Sequence, residues 1–190
     1  MSQLLQLRAA VIAGIETALP AFHVEGHLGR FSAADLSTFI TRAPAVRVAV
    51  LGIQEATATG ADGEEIDCIV RLGVYVVTKD VGARLTRDEA AAAAVERIAL
   101  LATGNRWGLD FVSGASAPNA QNLFSDETLK RGVAMWAVDL PQLVRLALPT
   151  DDSEIPAGPL RELFIGVAPK IGAAHQADYL GPLPEGSDDV

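Results

Sequence analysis

The stretch EIDCIVRLGVYVVT, residues 65–78, decides the fold of this chain. Every second residue from Ile66 to Val76 is apolar, the period-two pattern of a strand with one buried face. The intervening positions mix Asp67, Arg71 and Tyr75 with apolar residues. Such a mixture is typical of a sheet whose second face is partly covered or contacted. The sequence therefore predicts one long strand with two different faces.

A second strand is predicted upstream, at Ala45–Ile53, where Val46, Val48 and Val50 share one face. Between the two strands, Glu55–Glu64 is small, polar and glycine-bearing, which indicates a long exposed loop. Two strands that flank one loop are expected to form an antiparallel hairpin.

Two long helices are predicted on either side of this hairpin. Residues 3–19 carry an apolar stripe with helical spacing, and residues 87–103 follow a capping box formed by Thr86 and Glu89. Gly104 stands where a glycine commonly ends a helix. A short helix is expected from Ser32 to the residues before Pro44.

The rest of the first 148 residues predicts further strands. Residues 105–118 read as a loop with a short strand at Leu109–Ser113, followed by strands at 119–124 and 132–146. Pro141 indicates a sheet edge or a bulge. The fold class is therefore predicted to be α+β. We expect a mainly antiparallel or mixed sheet of about four or five strands, two long helices packed on one face, and one short helix.

A C-terminal extension, residues 149–190, is predicted to follow the domain of residues 1–148. It begins with the linker TDDSEIPAGP, residues 150–159. Its most apolar side chains need burial, and we expect them to bury against a neighbouring subunit or partner protein, with docking on the chain's own domain left open. These interface candidates are Leu160, Leu163, Phe164 and Ile165.

Composition excludes several classes of protein. The formal net charge of the 190 residues is −9, which argues against a protein that grips nucleic acid by neutralising phosphates. No apolar run approaches the roughly 18 residues of a membrane span, and the N-terminus predicts an amphipathic helix rather than a signal peptide. Cys68 is the single cysteine, so an intramolecular disulfide is impossible.

No recognisable catalytic, cofactor or metal motif is present in the sequence. His23 and His27 lie four residues apart, but on a strand this spacing is about 13 Å, too far for one ion. Cys68 is in phase with the buried face of the long strand, where a thiol is unreactive. Trp107 and Trp136 are interpreted as packing residues. We therefore expect a protein that is not an enzyme, without cofactor or metal.

The order of elements carries a resemblance to a known family. A first helix ending in ALP leads to the Gly29–Phe31 turn, a short helix and APAVRVAVLG, residues 43–52. Then come a strand ending VYVVTKD, a capped alanine-rich helix, and RGVAMWAVDLPQLVRL, residues 131–146. Over residues 3–147 this pattern resembles the Mu-like phage tail proteins related to the lambda-type tail terminator.

The resemblance implies a structural protein of the virion, assembled in the bacterial cytoplasm. Its subunits would form a ring, as a hexamer, that caps the tail tube and joins it to the head connector. The partners would be other copies of the chain, the tube protein and the connector or neck protein, with DNA only passing through. Another tail or neck component, such as a tail-completion or tube protein, is the alternative, and a small hydrolase or a cytosolic adaptor is a more distant one.

A channel that passes DNA is expected to have an acidic or neutral wall, because basic contacts would hold the DNA back. The loop between the two hairpin strands is the candidate for that wall. Its acidic residues are Asp62, Glu64 and Glu65, together with Glu55. A solvated outer loop whose acids serve only solubility is the alternative interpretation.

Overall fold

The structure is a computed structural model that describes residues 2–27, 29, 33–59, 64–80, 86–115 and 117–147. Four helices and six strands lie in these ranges. In chain order they are α1 (Gln3–Ala18), β1 (His23–Gly26), α2 (Ala33–Thr41), β2 (Ala45–Thr59), β3 (Glu65–Lys79), α3 (Arg87–Ala102), β4 (Val112–Ala115), β5 (Asn119–Asn122), α4 (Asp126–Lys130) and β6 (Val133–Ala147). The predicted α+β class is confirmed.

All six strands form one mixed sheet, in which the order is β1-β2-β3-β6-β4 and β5 also pairs with β6. β1 and β2 are parallel, and every other pair is antiparallel. The expected count of four or five strands was too low. The strand left out of that count is β1, which has only four residues and joins the sheet by parallel pairing with β2.

One face of the sheet carries the main core. The side chains of β3 that point to this face, from Cys68 to Val76, are buried against α1 and α3, as the alternation predicts. Leu7, Val95 and Ile98 belong to the same cluster, and Ile66 packs against it. Thr86 and Glu89 form the predicted capping box of α3, and Gly104 follows the helix with a φ of 69°.

The opposite face, which we call the outer face, has a smaller core at one end only. Phe39 of α2 is buried there against a cluster that includes Tyr75 and Val77 of β3 and Met135 of β6. Toward the other end of the strands, Ile69 and Leu143 are neighbours in the register and remain partly or largely exposed. The mixed outer face predicted for β3 therefore has an apolar half under α2 and a half that α2 does not reach.

The predicted loop at Glu55–Glu64 is wrong in its first half. β2 continues to Thr59 and pairs with β3 up to the contact between Thr59 and Glu65. The register of β2 on β3 shifts between Val50 and Gly52 and again between Gln54 and Thr57, and Glu55 has a φ of 52°. These irregularities explain the misassignment, because bulges interrupt the alternation by which a strand is recognised. The predicted antiparallel hairpin itself is confirmed.

Pro141 does not lie on an edge strand, because β6 pairs with β3 on one side and with β4 and β5 on the other. β5 reaches Asp139, and β4 begins at Gln142. Pro141 therefore lies in the interruption between the two short partner strands. A residue that lacks an N–H group is tolerated in such a place.

Candidate interaction surfaces

The half of the outer face beyond α2 is organised by two ion pairs rather than by a closed cavity. The Arg71 Nε donates to Asp139 Oδ1 at 3.1 Å, and its Nη2 donates to the second carboxylate oxygen. The hydrogen bond to Asp139 raises the pKa of the Arg71 guanidinium. This pair spans β3 and β6 beside a shallow depression of about 170 Å³, which Leu51 and Tyr75 also line.

The second ion pair lies at the far end of the same strands. Arg145 donates to both carboxylate oxygens of Asp67, at 2.8 and 2.9 Å, and its Nε lies 3.7 Å from Glu65 Oε2. The hydrogen bond from Arg145 lowers the pKa of Asp67, and the same bond raises the pKa of Arg145. A bidentate pair of this kind fixes both side chains in one geometry.

A groove of about 390 Å³ opens beside this second pair, and we call it the β6-end groove. Its lining includes the apolar side chains of Phe111 and Leu143 together with several carboxylates. The volume is near the lower end of small binding clefts, roughly 300–1,000 Å³, so it is large enough for a few side chains. The residues that define it here are Glu65, Asp67, Asp110, Phe111, Leu143 and Arg145.

Three cationic or titratable groups converge on Glu25 at the other end of the sheet. Arg42 donates to both Glu25 oxygens at 3.0 Å, Arg47 forms an ion pair with the same carboxylate, and the His23 Nε2 lies 3.4 Å from it. The Arg47 guanidinium also lies 5.4 Å from the ring centre of Phe39. This network ties β1 and β2 to the covering helix α2, which gives it a structural role.

The two histidines that first invited a metal interpretation have separate surroundings. The His23 Nε2 is 3.0 Å from Arg42 Nη1, whereas the His27 ring packs edge-to-face against Tyr75 at 6.5 Å. Within the described ranges, no group of three or more His, Cys, Asp or Glu residues is placed to hold a metal ion.

Cys68 lies where the sequence predicted, on the buried face of β3. Burial, and secondarily the charge of Asp67, raises the pKa of its thiol. Because the thiolate is the reactive form, this environment makes Cys68 a poor nucleophile.

The two tryptophans pack against the main core, as expected. The Trp107 Nε1 donates to Gln142 Oε1 at 3.2 Å, and its ring lies directly over Gly14, where a Cβ atom would approach it to 2.7 Å. Gly14 therefore allows α1 to pass close to the indole.

The acidic loop predicted to line a channel is only partly within the described residues. Glu64 is exposed, Glu65 is half-buried beside Arg145, and Asp62 lies outside the described ranges. The interface candidates Leu160, Leu163, Phe164 and Ile165 also lie outside them. The two neighbouring residues therefore have different surroundings: Glu65 has a cationic neighbour, and Glu64 is exposed at the end of the hairpin.

Sequence reasoning missed an exposed apolar corner around α4. Ser125 and Thr128 cap this helix reciprocally, since each backbone N–H donates to the other side-chain oxygen, at 2.9 and 3.2 Å. Phe124 and Leu129 occupy the two positions that a hydrophobic staple brings together, yet they remain 66% and 50% exposed. Lys130 ends the helix and is also exposed. We call Phe124, Leu129 and Lys130 the α4 corner.

Neither a protein-family model nor a curated protein matches this sequence significantly. Over the part of the chain that the structure describes, no helix has the length and apolar character needed to cross a membrane.

Proposed function

We propose that this chain is a structural subunit of a phage tail, and specifically the terminator that forms a ring on the tail tube and joins it to the head connector. The observation that carries the proposal is the contrast between the two faces of the sheet. The helix-covered face is closed, whereas the outer face presents apolar side chains and fixed ion pairs over half of its length. Surfaces of this composition are typical of protein–protein contacts.

The sequence supports the same function independently. The order of elements over residues 3–147 resembles the tail-terminator-related family, and the net charge of −9 suits a ring through which DNA slides. The clefts described above lie beside ion pairs that hold Asp67 and Asp139 in bidentate contacts with arginines. Carboxylates held in this way are poorly placed to act as general bases.

The experiment that tests the proposal is electron microscopy of the protein mixed with growing tail tubes of the phage that encodes it. A terminator is expected to add a ring at one end of each tube and to limit tube length. If the purified chain instead polymerises alone into long tubes, it is a tube protein. If it neither binds tubes nor changes their length, the proposal fails.

The acidic end of the hairpin is proposed to face the lumen of the ring. Glu64 is the described residue that carries this proposal, with Asp62 beside it in the sequence. Changing both residues to lysine is expected to give virions that assemble but eject DNA poorly, because each new cation adds a phosphate contact that must break. Normal ejection would remove these positions from the lumen. Failure of assembly would place them at a subunit contact.

The C-terminal extension is proposed to bury Leu160, Leu163, Phe164 and Ile165 against a neighbouring subunit or tail protein. Deletion of residues 150–190 is then expected to leave the cooperative unfolding transition intact and to reduce binding to tubes. Loss of that transition on deletion would contradict this assignment.

A further inference from the structure

The half of the outer face that α2 does not reach carries an apolar strip along the pairing of β3 and β6. Ile69 lies opposite Leu143, and Pro141 precedes Leu143 by two residues, on the same side of the strand. Leu143 is 46% exposed, and Ile69 and Pro141 are partly exposed. We call these three residues the outer-face strip. An apolar group of this kind is stabilised when a second apolar surface covers it.

The charges that border the strip are already paired. On one side the Arg71 Nε donates to Asp139 Oδ1 at 3.1 Å, and on the other side Arg145 donates to both carboxylate oxygens of Asp67. A further carboxylate, that of Glu65, lies 3.7 Å from the Arg145 Nε, so this border has no surplus of positive charge. An acidic ligand is therefore disfavoured, and an apolar ligand gains most from the area that it buries.

The covered half of the same face shows what closes such a surface. α2 brings Phe39, which is 1% exposed, and Ile40, which is partly buried, onto the smaller core. In the sequence these two residues follow Leu36 at the spacing i, i+3, i+4, which places apolar residues on one face of a helix. A second segment of this type would complete that layer over the strip.

The C-terminal extension contains a segment with the same spacing. Leu160, Leu163 and Phe164 stand at i, i+3 and i+4, as in α2. Pro159 precedes them and Gly166 follows two residues after Phe164, an arrangement typical of the two ends of a helix. The sequence pattern that covers one half of the outer face therefore occurs again in the extension.

Charge and reach both favour this segment as the ligand of the strip. Arg161 and Glu162 cancel within it, whereas residues 150–154 carry three carboxylates and no cation. β6 ends at Ala147, and the linker of residues 148–159 spans at most about 40 Å when it is extended. That reach is sufficient to carry the segment onto an adjacent subunit.

We propose that residues 160–165 of one copy dock on the outer-face strip of a neighbouring copy, with Leu163 and Phe164 against Ile69 and Leu143. This inference rests on the proposed docking of the extension in the ring, and it names the surface that receives the segment. The contact joins unlike surfaces of identical chains, so it is heterologous and can repeat around a ring.

Mixed single-cysteine chains test the proposal. Leu143→Cys marks the strip and Phe164→Cys marks the segment, both in full-length chains whose natural Cys68 is buried. A disulfide needs Cα atoms within roughly 7 Å, so it reports direct contact. On mild oxidation each variant alone is expected to give little dimer, and the mixture about tenfold more. Leu100→Cys, 72% exposed on α3, mixed with Phe164→Cys is the matched control for random collision.

A charge placed in the strip sharpens the test. Adding Ile69→Asp to the Leu143→Cys chain is expected to return the dimer yield to that of the control, because the carboxylate would have to be buried beneath the segment. Adding Leu100→Asp to the same chain instead is expected to leave the yield unchanged. Thermal unfolding of each variant shows that the domain is folded.

Efficient dimer formation by either single variant alone would show a symmetric contact and overturn the proposal. A mixture that yields no more dimer than the Leu100→Cys control would overturn it as well. A chain with both Leu143→Cys and Phe164→Cys that closes its disulfide internally would then show docking on its own domain. If rings nevertheless cap tail tubes, the proposed function stands and only this contact is wrong. If the mixed dimer forms but tubes are not capped, the contact stands and the function is wrong.

Discussion

The two faces of the sheet are built from alternate residues of the same strands, yet they differ in how far they are buried. On the helix-covered face, side chains such as Val70, Leu72 and Val74 are fully buried beneath α1 and α3. On the outer face, burial covers Tyr75 and Val77 and ends before Arg71, which forms an ion pair with Asp139. Among the described residues, the larger buried core therefore lies on one face, and half of the other face is left without a covering helix.

Inserting a charge at neighbouring positions of β3 is expected to give the largest difference in stability between the two faces. Val70→Asp is expected to abolish folding, because an unpaired charge in the core costs several kcal/mol. Ile69→Asp, one residue earlier on the partly exposed outer face, is expected to fold. Circular dichroism and thermal unfolding of both variants give the answer. A folded Val70→Asp protein would show that the strand phase described here is wrong.

Removing a phenylalanine ring compares the buried cluster of the outer face with the exposed α4 corner. Phe39→Ala deletes a ring that is 1% exposed and is expected to cost about 3–5 kcal/mol. Phe124→Ala, at the α4 corner, is expected to change the unfolding free energy by less than about 0.5 kcal/mol. Urea denaturation measures both values. Equal losses would mean that the corner belongs to the folded core.

Adding a methyl group at two glycines compares how well the side chains packed on each face can move to accommodate it. Gly14→Ala places a Cβ atom 2.7 Å from the Trp107 ring, which Gln142 holds in place, and we expect a loss of about 1–3 kcal/mol. Gly73→Ala meets the tip of Leu51 at 2.9 Å on the outer face. Because Leu51 is only partly buried and can change rotamer, the loss at Gly73 is expected to be smaller. Chemical denaturation of both variants tests this order, which would be contradicted by a larger loss at Gly73.

Titration of Asp67 provides the smallest effect. Its pKa is lowered in the folded chain by Arg145, so the pair stabilises the fold above the unfolded-state pKa of the aspartate. That contribution is lost as the pH falls through the lowered pKa, below about 4. Asp67→Asn is therefore expected to flatten the acid side of the profile of melting temperature against pH. Asp110→Asn serves as a control in the same groove, and an identical flattening there would contradict the assignment to Asp67.

The sequence predicts the elements whose pattern is long and regular. The unbroken alternation of β3 and the apolar stripes of α1 and α3 identify both the elements and their buried faces. Sequence analysis missed the second half of β2, because Gln54–Thr59 has small and polar side chains and its pairing with β3 shifts register between Gln54 and Thr57. Its extended conformation depends on pairing with β3 rather than on burial of its own side chains.

The candidate surfaces could be predicted only in part. The Ser125–Thr128 cap resembles a capping box but lacks the usual Glu or Gln, so it gave a weak signal for α4. The β6-end groove combines Asp67, Asp110 and Arg145, which are far apart in the sequence and meet only through the pairing of β3 and β6 and the segment before β4. No local pattern in the sequence indicates such a site.

The proposal that this chain assembles on a tail tube can be tested by the mass of the species bound there. Purified tubes incubated with the full-length chain would be washed, the bound protein released gently, and its mass measured by native mass spectrometry. One closed oligomer with the mass of a hexamer is expected, in about one copy per tube. Recovery of no bound protein, or of monomers distributed along the whole tube, would contradict it.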